Sequence, residues 1–162
     1  MGLLALVGLV LLTAPTIFHP PPLLIWNASA SAPIGLYAVG PEHPIARDDL
    51  VLAAPAENIR SLAAERRYLP RGVNLVKRVA GLPGDEICSH GAFISTNGER
   101  VARRVERDGE NRPMPSWSGC HRLGAAEVFL LMKDVPDSFD GRYFGATPRR
   151  AIIGRLTPLW TR

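Results

Sequence analysis

Charge is missing from the first quarter of the chain. No residue from Met1 to Pro41 is Asp, Glu, Lys or Arg, so all the charged side chains, 19 basic and 15 acidic in 162 residues, lie from Glu42 onward. That distribution excludes an ordinary cytosolic domain with a solvated face on every element and points to an N-terminus made for a bilayer. Lysine is nearly absent too. The basic residues are 17 arginines and only Lys77 and Lys133, and they are scattered: the densest stretch, Arg100 to Arg112, is interrupted by Glu106, Asp108 and Glu110. A net charge of +4 without a basic stripe argues against a nucleic-acid partner and is compatible with anionic lipid headgroups. There are only two cysteines, Cys88 and Cys120, and neither has a histidine at the usual zinc-ligand spacing, so no metal or other cofactor is expected. No internal repeat is visible, and 46% hydrophobic residues are too many for a disordered chain.

The uncharged leader contains the run Gly2 to Phe18, which at 17 residues reaches the lower limit of about 17–25 for a membrane-spanning helix. The alternative is a cleaved secretory leader. Its small-residue cleavage triplet would have to be Ala28-Ser29-Ala30 or Ala30-Ser31-Ala32, far from the apolar run, so a retained anchor is the better reading. No Lys or Arg precedes the run, so the positive-inside rule does not set its orientation. His19-Pro20-Pro21-Pro22 stops any helix, and Trp26 suits a membrane interface. An even cysteine count behind an export-like leader favours one Cys88–Cys120 disulfide in an oxidising compartment, with two buried free thiols as the alternative.

From residue 27 onward the pattern is that of one mainly β domain, closed or sandwich-like. Strands are expected at Gly35–Val39, Leu50–Ala53, Val73–Ala80, Glu86–Cys88, Val128–Met132 and Ala151–Arg155, with one soluble helix within Ala56–Arg67. Residues 89–123, polar and rich in Gly and Pro, read as hairpins in an insertion. The boundaries are therefore 1–26 for anchor and Pro-rich connector and 27–162 for the domain.

Two features carry chemistry. On the strand Val73–Ala80, alternation places Lys77 with Val73, Leu75 and Val79 on the more apolar face and Arg78 on the more polar one. Burial favours the neutral amine, which an arginine cannot imitate, and a neutral amine is a working general base. A lysine whose stem packs while its head reaches water gives the same pattern. The second feature is the small-residue segment Asn27-Ala28-Ser29-Ala30-Ser31-Ala32-Pro33, where an extended chain sets both hydroxyls on one side, one to attack and one to donate to an oxyanion. A flexible Ser/Ala linker is the plain alternative. Of the four histidines, His19 lies at the bilayer edge and His43, His90 and His121 read as loop residues, so no Ser-His-Asp triad is suggested.

Val76-Lys77-Arg78-Val79-Ala80-Gly81-Leu82-Pro83-Gly84-Asp85 resembles the lysine box of the type I signal peptidases, peptidase family S26. Asp137-Ser138-Phe139-Asp140-Gly141-Arg142 resembles their C-terminal aspartate-arginine box. Ser31-Ala32-Pro33-Ile34-Gly35-Leu36-Tyr37, with Ile152 to Trp160, is most similar to the conjugative-transfer TraF branch. The resemblance implies a signal-peptidase-like β catalytic domain with Ser31 as nucleophile and Lys77 as base. Ser29 would assist the oxyanion, Ser138 would orient the amine, and Asp140 and Arg142 would form a supporting ion pair, with Asp137 able to complete that network. It implies a membrane-anchored serine endopeptidase of the bacterial inner membrane, single-pass with its catalytic side in the periplasm. Its substrates would be secreted or conjugative-pilin precursor proteins, cut at the membrane surface. Three alternatives stand beside this one. The first is an acyl-transfer peptidase that cyclises pilin, and the second a catalytically silent envelope scaffold. The third, a soluble autoproteolytic repressor, would need a DNA-binding region where the leader lies.

Overall fold

The computed structural model describes residues 22–42 and 44–162. The expected membrane anchor and His19 fall within residues 1–21, and with His43 they lie outside the described residues. Among the described residues no helix is long and apolar enough to cross a membrane.

Eleven strands dominate: β1 (Leu24–Asn27), β2 (Gly35–Val39), β3 (Leu50–Ala53), β4 (Leu75–Gly81), β5 (Glu86–His90), β6 (Phe93–Thr96), β7 (Glu99–Arg103), β8 (Gly119–Arg122), β9 (Glu127–Leu131), β10 (Thr147–Pro148) and β11 (Ile152–Thr161). They form a seven-stranded sheet in the order β1-β2-β11-β3-β4-β9-β10 and a four-stranded sheet in the order β7-β6-β5-β8. Every pairing is antiparallel. The second sheet is the expected set of hairpins, although it begins at Glu86 rather than at 89. Helix α1 (Glu57–Glu65) sits where the 3.6-residue period of Ile59, Leu62 and Ala63 puts it. A second, one-turn helix, α2 (Gly141–Phe144), corrects the expectation of a single soluble helix. One turn is too short to show a period, and its cap is the carboxylate of Asp140, which accepts from the Arg142 N–H.

The centre of the large sheet is buried on both faces, which is why β3, β4 and β9 read as nearly continuous apolar runs. In β3, Leu50 and Leu52 enter one cluster with Tyr37, Val76, Met132 and Leu156, while Val51 and Ala53 enter a second with Val79, Val128, Leu130 and Ile152. Strand β9 divides its side chains in the same alternating way: Phe129 and Leu131 turn to a third cluster with Ile87 and Ile94 of the small sheet. Leu24–Trp26, grouped by sequence with the connector, belongs to the sheet as most of β1 and pairs with β2. His90 and His121 also differ from their loop reading, since they stand on β5 and β8.

Strand β11 holds the sheet together. Its first residues pair with β3 and the rest, from Leu156, with β2, with a register shift at Pro158/Trp160 on the β2 side and another at Ile152/Gly154 on the β3 side. Gly154 is required there, because a Cβ would stand 2.3 Å from the Gly40 carbonyl oxygen and 2.6 Å from Val39 Cγ1. Gly154→Ala is therefore expected to destabilise the fold by about 1–3 kcal/mol, the usual cost of overpacking, measured as a lower denaturant midpoint at unchanged m.

Candidate active site

Strands β1 and β2 form a hairpin whose connection, residues 28–34, carries the two serines. The base of that loop is the register pair Asn27–Gly35. Asn27 is 5% exposed and shapes the loop from within. Its Nδ2 donates to the carbonyls of Ser29 (3.0 Å), Ala32 (3.1 Å) and Pro33 (3.1 Å), and its Oδ1 accepts from the Ser29 N–H (3.1 Å) and the Ser29 hydroxyl (3.0 Å). Buried Tyr37 adds a clamp, its hydroxyl donating to the Pro33 carbonyl at 2.6 Å. Gly35 leaves room for β11, since a Cβ there would lie 2.0 Å from the Trp160 carbonyl oxygen. The result is a turn, not the extended segment that strand spacing suggested, yet Ser29 Oγ and Ser31 Oγ still stand 3.0 Å apart. Both serines are half-buried, so a peptide can reach them from solvent.

Lys77 arrives from β4, opposite Val51, which is fully buried. The lysine is 3% exposed while its neighbour Arg78 is exposed, as the alternation of the strand requires. Lys77 Nζ donates to Ser31 Oγ at 2.9 Å and to Ser138 Oγ at 3.0 Å. Burial among apolar side chains is the main cause that lowers its pKa from 10.5 to about 8; Asp140 pulls it up and Arg142 pushes it down.

Counting protons gives the site two states. An ammonium at Lys77 donates to Ser31, whose own hydroxyl then donates to Ser29 Oγ, while the Ser29 hydroxyl donates to Asn27 Oδ1. All three bonds run away from the lysine. Once the ammonium loses a proton, its lone pair accepts the Ser31 hydroxyl and that bond reverses. An amine poised to lose its proton near neutral pH beside a serine hydroxyl can therefore withdraw that proton as the oxygen attacks a carbonyl.

The Ser138 side of the site rests on a buried ion pair. Asp140 is 0% and Arg142 1% exposed. Arg142 Nε and Nη2 donate to the Asp140 carboxylate at 2.8 and 3.1 Å, and the Met132 N–H donates to it at 3.0 Å. Nη1 donates to the carbonyls of Pro136 (2.6 Å) and Arg103 (3.3 Å), and Nη2 shares its two protons between the carboxylate and the carbonyls of Met132 (2.8 Å) and Val135 (3.0 Å). Residues 132–138 are thereby wound around one side chain, which sets Ser138 beneath the lysine. Asp137, which sequence offered as a member of this network, is exposed, and backbone carbonyls take that place. The Arg103 bond ties the end of β7 to the same base, and Phe139 stacks on Tyr143 and packs at a tilt against Tyr68.

The six sequence-derived candidates Ser29, Ser31, Lys77, Ser138, Asp140 and Arg142 thus form one continuous cluster. Cys88 and Cys120 form a disulfide as directly opposed partners of β5 and β8. No zinc-type spacing marks a histidine for the cysteines, yet strand pairing brings His90 Nε2 to 3.6 Å from Cys120 Sγ. Asn27 was missed as a site residue. The signal was there, an asparagine two residues before a serine at the end of an apolar run, which is how Asx turns begin.

A serine–lysine pair set in a mainly β domain narrows the class to peptidases, and the comparisons agree. The family profile described as "Signal peptidase, peptidase S26" matches residues 1–160, and the chain belongs to that family. It is 36% identical to a plasmid transfer protein TraF of Escherichia coli, over 83% of this chain and 81% of that one. With a conjugal transfer protein TraF of Agrobacterium tumefaciens the identity is 29%, with the same two coverages. A crystal structure of a signal peptidase I from Enterococcus faecalis matches 73% of this chain and 100% of that one with a TM-score of 0.42 and 21% identity.

Two outcomes follow from the burial of these groups. Asp140→Ala leaves a guanidinium charge unpaired inside the protein and is expected to cost about 3–5 kcal/mol in denaturant unfolding. Lys77, with a folded-state pKa near 8 against an ordinary value of 10.5, binds fewer protons folded than unfolded between those values. Stability should therefore rise with pH across that window, and in Lys77→Met the rise should be absent.

Proposed function

We propose that the chain is a membrane-anchored serine endopeptidase that uses a Ser31–Lys77 dyad to cleave leader or pilin-precursor peptides at the bacterial inner membrane during conjugative transfer. The observation that carries this reading is the lysine nitrogen, 3% exposed as a residue and 2.9 Å from the Ser31 oxygen. Neutral Lys77 takes the Ser31 proton as the oxygen attacks the scissile carbonyl. The Ser29 hydroxyl turns from Asn27 to the oxyanion beside backbone N–H donors. Lys77 then protonates the leaving amine, held throughout by Ser138, and water resolves the acyl-enzyme.

The membrane part rests on two supports. Gly2 to Phe18 is long enough for a span, and the hairpin that bears the serines has an exposed apolar flank on the side where that segment joins it. Trp26 of β1 and Trp160 of β11 both pair with Leu36 of β2 and stack with centroids 5.7 Å apart; with Leu24 and Leu159 they are more than half exposed. Tryptophans so placed suit the headgroup layer, and a substrate tethered in the same bilayer would meet Ser31 close to its surface. The TraF relatives, named as transfer proteins, favour a conjugative substrate over a general secretory one.

The test uses the detergent-solubilised full chain and a synthetic pilin-precursor peptide with alanine at the cut, followed by mass spectrometry. Cleavage should rise with pH to half-maximum near 8, the value of the buried lysine. Ser31→Ala should be inactive and Lys77→Arg slower by at least about 10²–10⁴-fold with the fold intact. Full activity in either variant overturns the dyad. A product lighter by one water than the trimmed linear peptide marks resolution by an amine, and thus cyclisation. A chain that stays silent toward every precursor offered, while Lys77 titrates near 8, favours the scaffold reading.

A further inference from the structure

The small sheet carries a second cluster of reactive groups that plays no part in the proposed peptidase chemistry. Along β5 the period of two sets Glu86, Cys88 and His90 on one face. Opposite them on β8, Cys120 is the direct partner of Cys88, with Cα atoms 4.0 Å apart. The donor atoms of Cys88, His90 and Cys120 all lie within 4.8 Å of one another, and His90 Nε2 is 3.6 Å from Cys120 Sγ. Glu86 Oε1 stands 3.9 Å from Cys88 Sγ. His90 and Cys120 are exposed, so the cluster opens directly to solvent.

We propose that Cys88, Cys120 and His90 form a redox-gated metal site: a disulfide when oxidised and, when reduced, a three-ligand site for a thiophilic closed-shell cation of the Zn2+ type. The geometry is near what such an ion asks for. Bonds of about 2.3 Å to sulfur and 2.0 Å to nitrogen in a tetrahedron leave ligand atoms roughly 3.5–3.8 Å apart. The His90–Cys120 separation already meets that figure, and strands paired at Cys88–Cys120 allow the two sulfurs to settle there once they are free. Two soft sulfurs with one imidazole select zinc or cadmium over magnesium or calcium. The fourth position is left to water or to the Glu86 carboxylate.

The switch balances with an external dithiol as reductant. Its thiolate attacks one sulfur of the disulfide and forms a mixed disulfide, and its second thiol resolves this. The reductant leaves as its own disulfide and two electrons remain on Cys88 and Cys120 as two thiols. Binding a divalent cation as thiolates then releases two protons. In either state β5 stays fastened to β8. That bond reaches further than the small sheet, because Trp117, just ahead of β8, donates its indole N–H to the Gly141 carbonyl at 3.0 Å, beside the Asp140–Arg142 pair.

The test needs no peptidase activity, so it stands or falls apart from the function proposed above. The full chain in detergent is reduced with dithiothreitol, desalted without oxygen, and titrated with Cd2+ while thiolate-to-metal absorption is followed; Zn2+ is measured by competition with a chromophoric chelator. The expected result is one equivalent bound by reduced protein and none by oxidised protein. His90→Ala, which retains the disulfide when oxidised, should bind at least about tenfold more weakly, and Cys120→Ser should show no charge-transfer band. Three results would overturn the proposal: a reduced chain with two titratable thiols that takes up no metal, a His90→Ala protein that binds as tightly as the parent, or a disulfide that dithiothreitol cannot open in the folded chain.

Discussion

An amine kept out of water is the constraint from which the rest of this structure follows. Lys77 is buried on a strand that is itself covered on both faces, and among the described residues its nitrogen bonds to hydroxyl groups, those of Ser31 and Ser138. Burial weakens its hold on the third proton, while the nearby Asp140 charge opposes that loss. The Asp140 carboxylate is therefore spent on Arg142, close enough to be felt at the lysine but already matched by a positive charge of its own. Had that carboxylate reached the amine directly, the lysine would hold its proton more firmly and lose the chemistry that burial gives it.

Two side chains outside the Ser31–Lys77 pair set the geometry. Asn27 binds the serine loop at five points and Arg142 binds four backbone carbonyls besides its carboxylate. Each does inside a loop what a ladder of backbone bonds does in a strand, satisfying buried polar groups that the chain's course leaves without neighbours. The serine turn and the 132–138 turn can be irregular and still rigid because each has one such side chain at its centre. Phe139, packed against Tyr68 and Tyr143, and the Arg142 bond to the Arg103 carbonyl then let the segment after α1 and the end of β7 brace the second turn.

Much of this was legible in the amino-acid sequence. The strands at Gly35–Val39 and Leu50–Ala53 were placed to the residue, because apolar runs bounded by turn residues mark them clearly. Alternation put Lys77 on the more apolar face of its strand but left open whether its head reached water, and the structure buries it. The Ser29 and Ser31 hydroxyls came from the small-residue segment, and Ser138 and the ion pair from resemblance to a family whose boxes lie in order; the coordinates bring them together. What escaped reading was what depends on distant partners. Strand β1 was hidden because Leu24–Trp26 looked like the tail of the leader, and only its pairing with β2 reveals it. Strand β11 was read as five residues and runs to ten, since Pro158 and the bulge beside it mask a continuous ladder to β2. His90 was read as a loop residue because nothing local shows that β8 lies alongside it.

The ten residues of β11 also govern when the site comes into being. In the large sheet nothing but that strand joins β2, which positions the serine loop, to β3 and hence to the lysine on β4. Before Ile152–Thr161 docks, the hydroxyl and the amine belong to separate hairpins, and an amine still bathed in solvent keeps its proton and is inert. The paired serine and lysine therefore come together only when that long-range pairing closes.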